Sequence, residues 1–238
     1  MNNANGRFVV MPSLLKLSDI KIKYQDALTY LSLRSFNNSS NGKCYPAYET
    51  IAARAGASRG FIIKSIERLE SSKLITVEHS TKKNVSNKYS FRKVQVFDQI
   101  PYQFFNVVDL TLHEKALLLC LRQFFNQGPL QSIYSIKEFC GFLGLTYNTV
   151  SPLYLSLKSK NYISSVIKYN SEGKILSKTD TLTPKINWPY GYKKTLTDPR
   201  VKKTRLLVCW KVGDFSFAYI KVIIMKKSPF DSSVGKVL

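Results

Sequence analysis

The sequence predicts an α+β protein in which one small helix-and-hairpin unit occurs twice and is followed by a basic β-hairpin extension. Three observations carry that prediction: motifs return after 88 or 89 residues, apolar residues keep helical spacing around a glycine in each copy, and polar turn-forming stretches separate β-branched segments. The resulting division is residues 1–94, 95–184 and 185–238.

The duplication begins with Phe8-x-x-Met11-Pro12, echoed by Phe97-x-x-Ile100-Pro101, and Ala27-Leu28, echoed by Ala116-Leu117, both at a separation of 89. After a one-residue slip to 88, Leu31 to Phe36 matches Leu119 to Phe124, and Gly56 falls on Gly144. Around these glycines Ile51, Ser58, Ile62, Leu69 and Ile75 superimpose on Phe139, Thr146, Val150, Leu157 and Ile163.

In the first unit, residues from about Ile22 to Phe36 suit a helix with Leu28 and Leu31 inside, ended by the polar run 37–42. A second helix, about Ala47 to Ala55, sets Tyr48, Ile51 and Ala52 on one face before Gly56, a residue suited to a left-handed helix terminus. Ser58 can cap a third helix to about Ser72, with Ile62, Ile66 and Leu69 inward. Strands at about Leu74–Glu78 and Lys88–Lys93 then flank a polar loop carrying Lys82 and Lys83. Three helices followed by such a hairpin make a winged helix.

The second unit repeats the pattern with helices near Leu112–Phe125, Ile136–Leu143 and Tyr147–Lys160, and with strands near Tyr162–Tyr169 and Lys174–Leu182 around the turn at 170–173. Pro152 interrupts the third of these helices, so it either kinks there or starts later, with Ser151 as cap and Pro152 in the first turn. The later start would leave a shorter second reading helix. Beyond the repeats, Arg205–Val212 and Phe215–Met225 around Gly213-Asp214 read as a further hairpin, extending the second sheet or mediating dimerisation, and Ser228–Leu238 reads as a loose tail.

Lys and Arg number 36 against 15 Asp and Glu, a net charge of +21, with +13 of it after residue 120 and +9 after residue 183. A field of this size concentrates a polyanion, and nucleic acid is the leading partner. An anionic membrane is the competitor, but there is no long apolar run and the N-terminus lacks the apolar core of a signal peptide, so a cytoplasmic protein without a membrane partner is expected. Cys44, Cys120, Cys140 and Cys209 are widely spaced and form no CxxC pair, which points to reduced thiols rather than a zinc site or a disulfide framework.

Enzyme chemistry is not expected. His79 and His113 form no His-x-His pair, no GxxxxGK[ST] loop occurs, and the few carboxylates are scattered, so no catalytic residue, metal ligand or cofactor is assigned. The aromatics Tyr24, Tyr30, Phe36, Phe104, Phe105, Phe124 and Phe125 could stack on bases, but their place on apolar helix faces favours core packing.

In a helix-turn-helix the start of the third helix enters the major groove and needs outward polar side chains. The first unit offers Ser58, Arg59, Gly60 and Lys64, with Arg59 suited to guanine and Gly60 allowing close backbone approach. The second offers Thr146, Tyr147, Asn148, Thr149 and Ser151, with Asn148 suited to adenine. Lys82, Lys83 and Lys88 on the first wing and Lys168, Lys174 and Lys178 on the second could neutralise phosphates or enter a minor groove.

Through Tyr45-Pro46-Ala47-Tyr48-Glu49-Thr50-Ile51-Ala52, Ser58-Arg59-Gly60-Phe61-Ile62 and Leu69-Glu70-Ser71-Ser72-Lys73-Leu74-Ile75, the first unit resembles bacterial and phage helix-turn-helix domains. With its second copy the chain resembles the theta-type plasmid Rep initiators in architecture. That resemblance implies two related winged helices binding repeated origin sites in double-stranded DNA, bending or opening of adjacent duplex, contact with host replication proteins, and autorepression as a homodimer. A tandem winged-helix transcription regulator would share the fold, and a protein-binding scaffold is a third class.

Overall fold

The duplication is visible in three dimensions in a computed structural model, which describes residues 8–188 apart from 13–16, 18, 39–40, 83–84, 94–96, 126–129 and 133. Lys83, Cys209, the hairpin expected at 205–225 and the tail after it lie outside the described residues. The molecule mixes helices and strands, an α+β arrangement.

The first repeat runs β1 (Phe8–Pro12), α1 (Asp26–Arg34), β2 (Lys43–Cys44), α2 (Tyr48–Ala55), α3 (Arg59–Ser71), β3 (Ile75–Glu78) and β4 (Lys88–Phe91). The second runs β5 (Phe97–Pro101), α4 (Leu112–Leu121), β6 (Gln131–Ser132), α5 (Ile136–Leu143), α6 (Tyr147–Ser159), β7 (Ile163–Tyr169) and β8 (Ile175–Leu182), with a 3-10 helix at Tyr102–Asn106 after β5. Each makes a three-stranded antiparallel sheet of the same topology, β2-β4-β3 and β6-β8-β7. Both repeats belong to one compact unit.

Packing explains the persistence of the pattern. Ile51, Ile62 and Leu69 are fully buried, and so are Phe139, Val150 and Leu157, their counterparts 88 residues on. Each row lies at helical spacing on the inner faces of two consecutive helices, so removing it from water drives the same assembly twice. Backbone conformation repeats too: Gly42, Gly56 and Lys73 have positive φ, and so do Leu130, Gly144 and Asn161.

The first helix of each repeat is shorter than its apolar spacing suggests. Lys21 takes φ 54° and the Asp26 carboxylate accepts the Lys23 N–H at 2.8 Å, which delays α1 to Asp26. In the second repeat α4 tightens at Arg122 into a 3-10 turn ending at Phe124. The one-residue slip also falls earlier than the motifs indicate. Asp26 bonds Arg68 and Glu114 bonds Ser156, and both members of these pairs are 88 apart, so the repeat is already in the shorter register at the start of α1.

The Phe-x-x-(Met/Ile)-Pro copies pair with each other. β1 and β5 are antiparallel with Phe8 opposite Pro101, Pro12 opposite Phe97, and Val10 opposite Gln99. A shift of 89 exchanges the first two pairs, which is the mark of a two-fold contact. Close by, α1 packs on α4, and the Tyr24 hydroxyl lies 2.6 Å from Nδ1 of His113, again 89 residues away. Tyr24, Tyr30, Phe104, Phe124 and Phe125 are buried and Phe36 and Phe105 half-buried. These rings pack the core rather than offering a stacking surface. Cys44 and Cys120 are free and buried, and Cys140 is free and half-buried.

Candidate nucleic-acid interface

The angle between the second and third helices of each repeat is set by the chain itself. α2 ends at Gly56 with φ 67°, a left-handed conformation that a Cβ would strain, and the Ala57 N–H returns to the Ala52 carbonyl at 3.0 Å. Gly144 does the same for α5 with φ 66°, and Leu145 N–H bonds the Cys140 carbonyl at 3.0 Å. Two residues separate each glycine from the third helix, and the second of them, Ser58 or Thr146, is extended. Ser58 caps α3 by accepting the Phe61 N–H at 3.2 Å. At the matching place Thr146 bonds the Thr149 hydroxyl at 2.8 Å instead of a backbone donor.

The start of α3 exposes Ser58, Arg59, Gly60 and Lys64 together. Gly60 has open space around it, with no atom within 4 Å of an added Cβ. Arg59 is not free: Nε donates to Glu49 Oε1 at 2.6 Å, and the guanidinium lies 5.5 Å from the Tyr48 ring centre. A hydrogen bond from the Glu49 backbone and then the one from Arg59 hold the Glu49 carboxyl below its ordinary value. Sequence reading missed Glu49 as partner; its signal was an acid in the first turn of α2, ten residues ahead of the arginine.

The start of α6 exposes Thr146, Tyr147 and Asn148, with Thr149 and Ser151 half-buried. α6 runs unbroken from Tyr147 to Ser159 with Pro152 inside it, so the later start capped by Ser151 does not occur and both third helices have 13 residues. The reason is position. Pro152 is exposed, and the carbonyl it deprives of a partner is that of exposed Asn148, which water can satisfy. At a shift of 88, Arg59, Gly60 and Lys64 correspond to Tyr147, Asn148 and Pro152.

The hairpins differ more. In the first, Lys88 pairs with Glu78, which pushes its amine upward in pKa, while Lys82 is exposed in the loop. Asn87 ties that loop to α2 by donating to the Tyr48 hydroxyl at 2.8 Å. In the second, Lys168, Lys174 and Lys178 are all exposed along a longer arm, with Lys174 paired at 3.3 Å to Glu172. The base of this arm is fixed by buried Asp180, which accepts from Tyr154 and, at 2.9 Å, from Lys158.

No group of three or more His, Cys, Asp or Glu that could hold a metal occurs among the described residues, and none of their helices is long and apolar enough to cross a membrane. No curated protein and no solved structure matches the chain. Residues 21–75, from just before α1 to the first residue of β3, match the family described as a helix-turn-helix domain, a DNA-binding unit.

Proposed function

We propose that the chain binds duplex DNA sequence-specifically through two tandem winged helices, without covalent chemistry, and that it acts as a replication initiator at repeated origin sites of a plasmid or mobile element, in contact with host replication proteins. The observation that carries the reading is the helix-turn-helix unit and its second copy, joined through the two-fold β1–β5 contact. Extended to the whole repeats, that two-fold would present α3 and α6 in opposite senses, as in a homodimer, and would suit two inverted half-sites about one helical turn apart. A charge of +21 supplies the sequence-independent grip.

The test is binding to DNA flanking the chain's own gene and to random duplex across a salt series, with footprinting. Preference that survives physiological salt, with protection over an AT-rich array of sites, supports initiation; one site over a promoter makes the protein a regulator. Affinities that vanish together as salt rises overturn sequence reading and favour a protein-binding scaffold. R59A/K64A is expected to weaken specific binding by about 1–3 kcal/mol for each base-edge hydrogen-bonding pair removed; unchanged affinity removes α3 from the interface.

A further inference from the structure

The second hairpin carries a feature that phosphate binding leaves unexplained. From Ser165 to Lys178 every residue of β7, the turn and β8 is exposed except half-buried Asn170, so this stretch is a free arm standing off the core. Its end is well built: Asn170 Oδ1 accepts the Glu172 and Lys174 N–H groups at 3.1 and 2.8 Å, and Gly173 takes φ 75°. Yet its strands bear large apolar side chains, with Tyr169 58%, Ile175 62% and Leu176 70% exposed, beside Val166 and Ile167. The described part of the first hairpin exposes one such residue, Val85.

Val166 lies on the opposite face, but the others are not scattered. Strand alternation puts Ile167 and Tyr169 on the face that at the base carries Ile163, and the partner of Tyr169 across the ladder is Ile175. The register skips Leu176 at a bulge, a device that re-aims a side chain at the end of a strand pair. On that face the ladder runs from the buried pair Ile163–Leu182 through the polar pair Ser165–Asp180 to Ile167 opposite Lys178 and Tyr169 opposite Ile175, so an apolar stripe occupies the outer half of the arm, from Ile167 to Ile175 and Leu176, with Lys178 on the same face and Lys168 and Lys174 beside it. An apolar edge left in water invites association. A second copy of a chain carrying +21 is electrostatically the poorer occupant, and a polyanion with an apolar interior is the better one.

We propose that this arm is a wedge for duplex DNA: its lysines seat on the phosphates beside a minor groove, and Ile175 and Leu176 press into a base step and unstack it. The proposal rests on the DNA-binding reading above and assigns to named side chains of this arm a deformation of the duplex that recognition alone does not require. Apolar wedges at minor-groove steps kink DNA by about 20–90°.

The experiment compares the full-length protein with I175S/L176S on a duplex selected by the wild type from a random-sequence pool, with 2-aminopurine placed in turn at each adenine of the footprint. The bend is read by fluorescence transfer between the duplex ends. The exposed double substitution is checked for an unchanged circular dichroism spectrum, and L176S alone serves if it is not. Wild type is expected to bend the duplex and brighten 2-aminopurine at one step; the variant should keep the footprint but lose both signals. A bend and fluorescence unchanged in the variant overturn the wedge while leaving DNA binding intact. Sedimentation of both proteins covers the rival: a wild-type dimer that the variant dissolves, with bending retained, assigns the stripe to self-association. Failure of the wild type to select any duplex overturns the DNA reading and the wedge with it.

Discussion

Where the first repeat buries Ile51, Ile62 and Leu69, the second buries Phe139, Val150 and Leu157; where the first exposes Arg59, Gly60 and Lys64, the second exposes Tyr147, Asn148 and Pro152. The inside admits little change because apolar packing at fixed helical spacing defines the unit. The outside has no such constraint. Under the proposed function, two heads with the same frame and different side chains would read different bases, so the proposed half-sites would be inverted in orientation but unlike in sequence.

The repeats also solve one internal problem differently. Each ties its first helix to its third through a buried carboxylate. Asp26, fully buried, takes both oxygens to the Arg68 guanidinium at 2.7 Å, whereas Glu114 takes Lys160 at 2.7 Å, Ser156, and the Thr111 N–H at 2.7 Å. Asp26→Ala leaves a partly buried guanidinium fork and the Lys23 N–H without their acceptor, and is expected to cost about 4 kcal/mol. Glu114→Ala should cost less, about 2 kcal/mol, because Lys160 keeps the Asp109 carbonyl at 2.9 Å and its flexible stem can reach water. Urea midpoints of the two variants measure the difference, and equal losses would break the comparison.

The third helices give the next largest effect. Pro152→Ala restores an N–H for the Asn148 carbonyl and removes the proline penalty, offset in part by a freer unfolded chain, so a gain of about 2 kcal/mol is expected. Thermal unfolding reads it. No gain would mean that α6 is already bent to suit proline and that its likeness to α3 is one of length only.

Much of this was legible in the sequence because burial writes period into it: the repeat, the two glycine turns and the third helices follow from apolar spacing and capping residues. Three features were not. β2 and β6 are two residues each, too short for alternation to register. The Phe-x-x-(Met/Ile)-Pro copies were visible as an echo, but that they pair with one another is a tertiary fact with no local signal. Arg122 aligns with Arg34, yet Arg34 lies over the Phe91 ring while Arg122 is buried 3.7 Å from Asp98 and beneath Trp188. The same residue type at the same place in the repeat does two different things because its neighbours differ, Phe91 of β4 for Arg34 and Asp98 of β5 for Arg122. At the candidate interface, residue types were readable but their partners were not: Arg59 looked free and is held by Glu49.

The smallest effect concerns acid, and it falls on the buried carboxyls of the second repeat. Burial raises the Glu114 carboxyl, but hydrogen bonds from Lys160, Ser156 and Thr111 outweigh it and hold the group at about 2, against an ordinary value of 4.5. Asp180, also in the second repeat, is raised by burial and brought below its ordinary value by Ser165, Tyr154 and Lys158. The lowered carboxyls of the first repeat, Glu49 and Glu78, are exposed, so solvent screens their contribution. A carboxyl whose folded pKa is depressed stabilises fully above its unfolded pKa and loses that contribution as pH falls through the folded one. For Glu114 the window runs from 4.5 down to about 2. Amide exchange of α4 and α6 should therefore speed up as pH falls across that window. Glu114→Gln, which keeps the shape but cannot titrate, should be less stable near neutrality and lose less across that window. A variant whose acid slope matches wild type would place the acid-sensitive contact elsewhere.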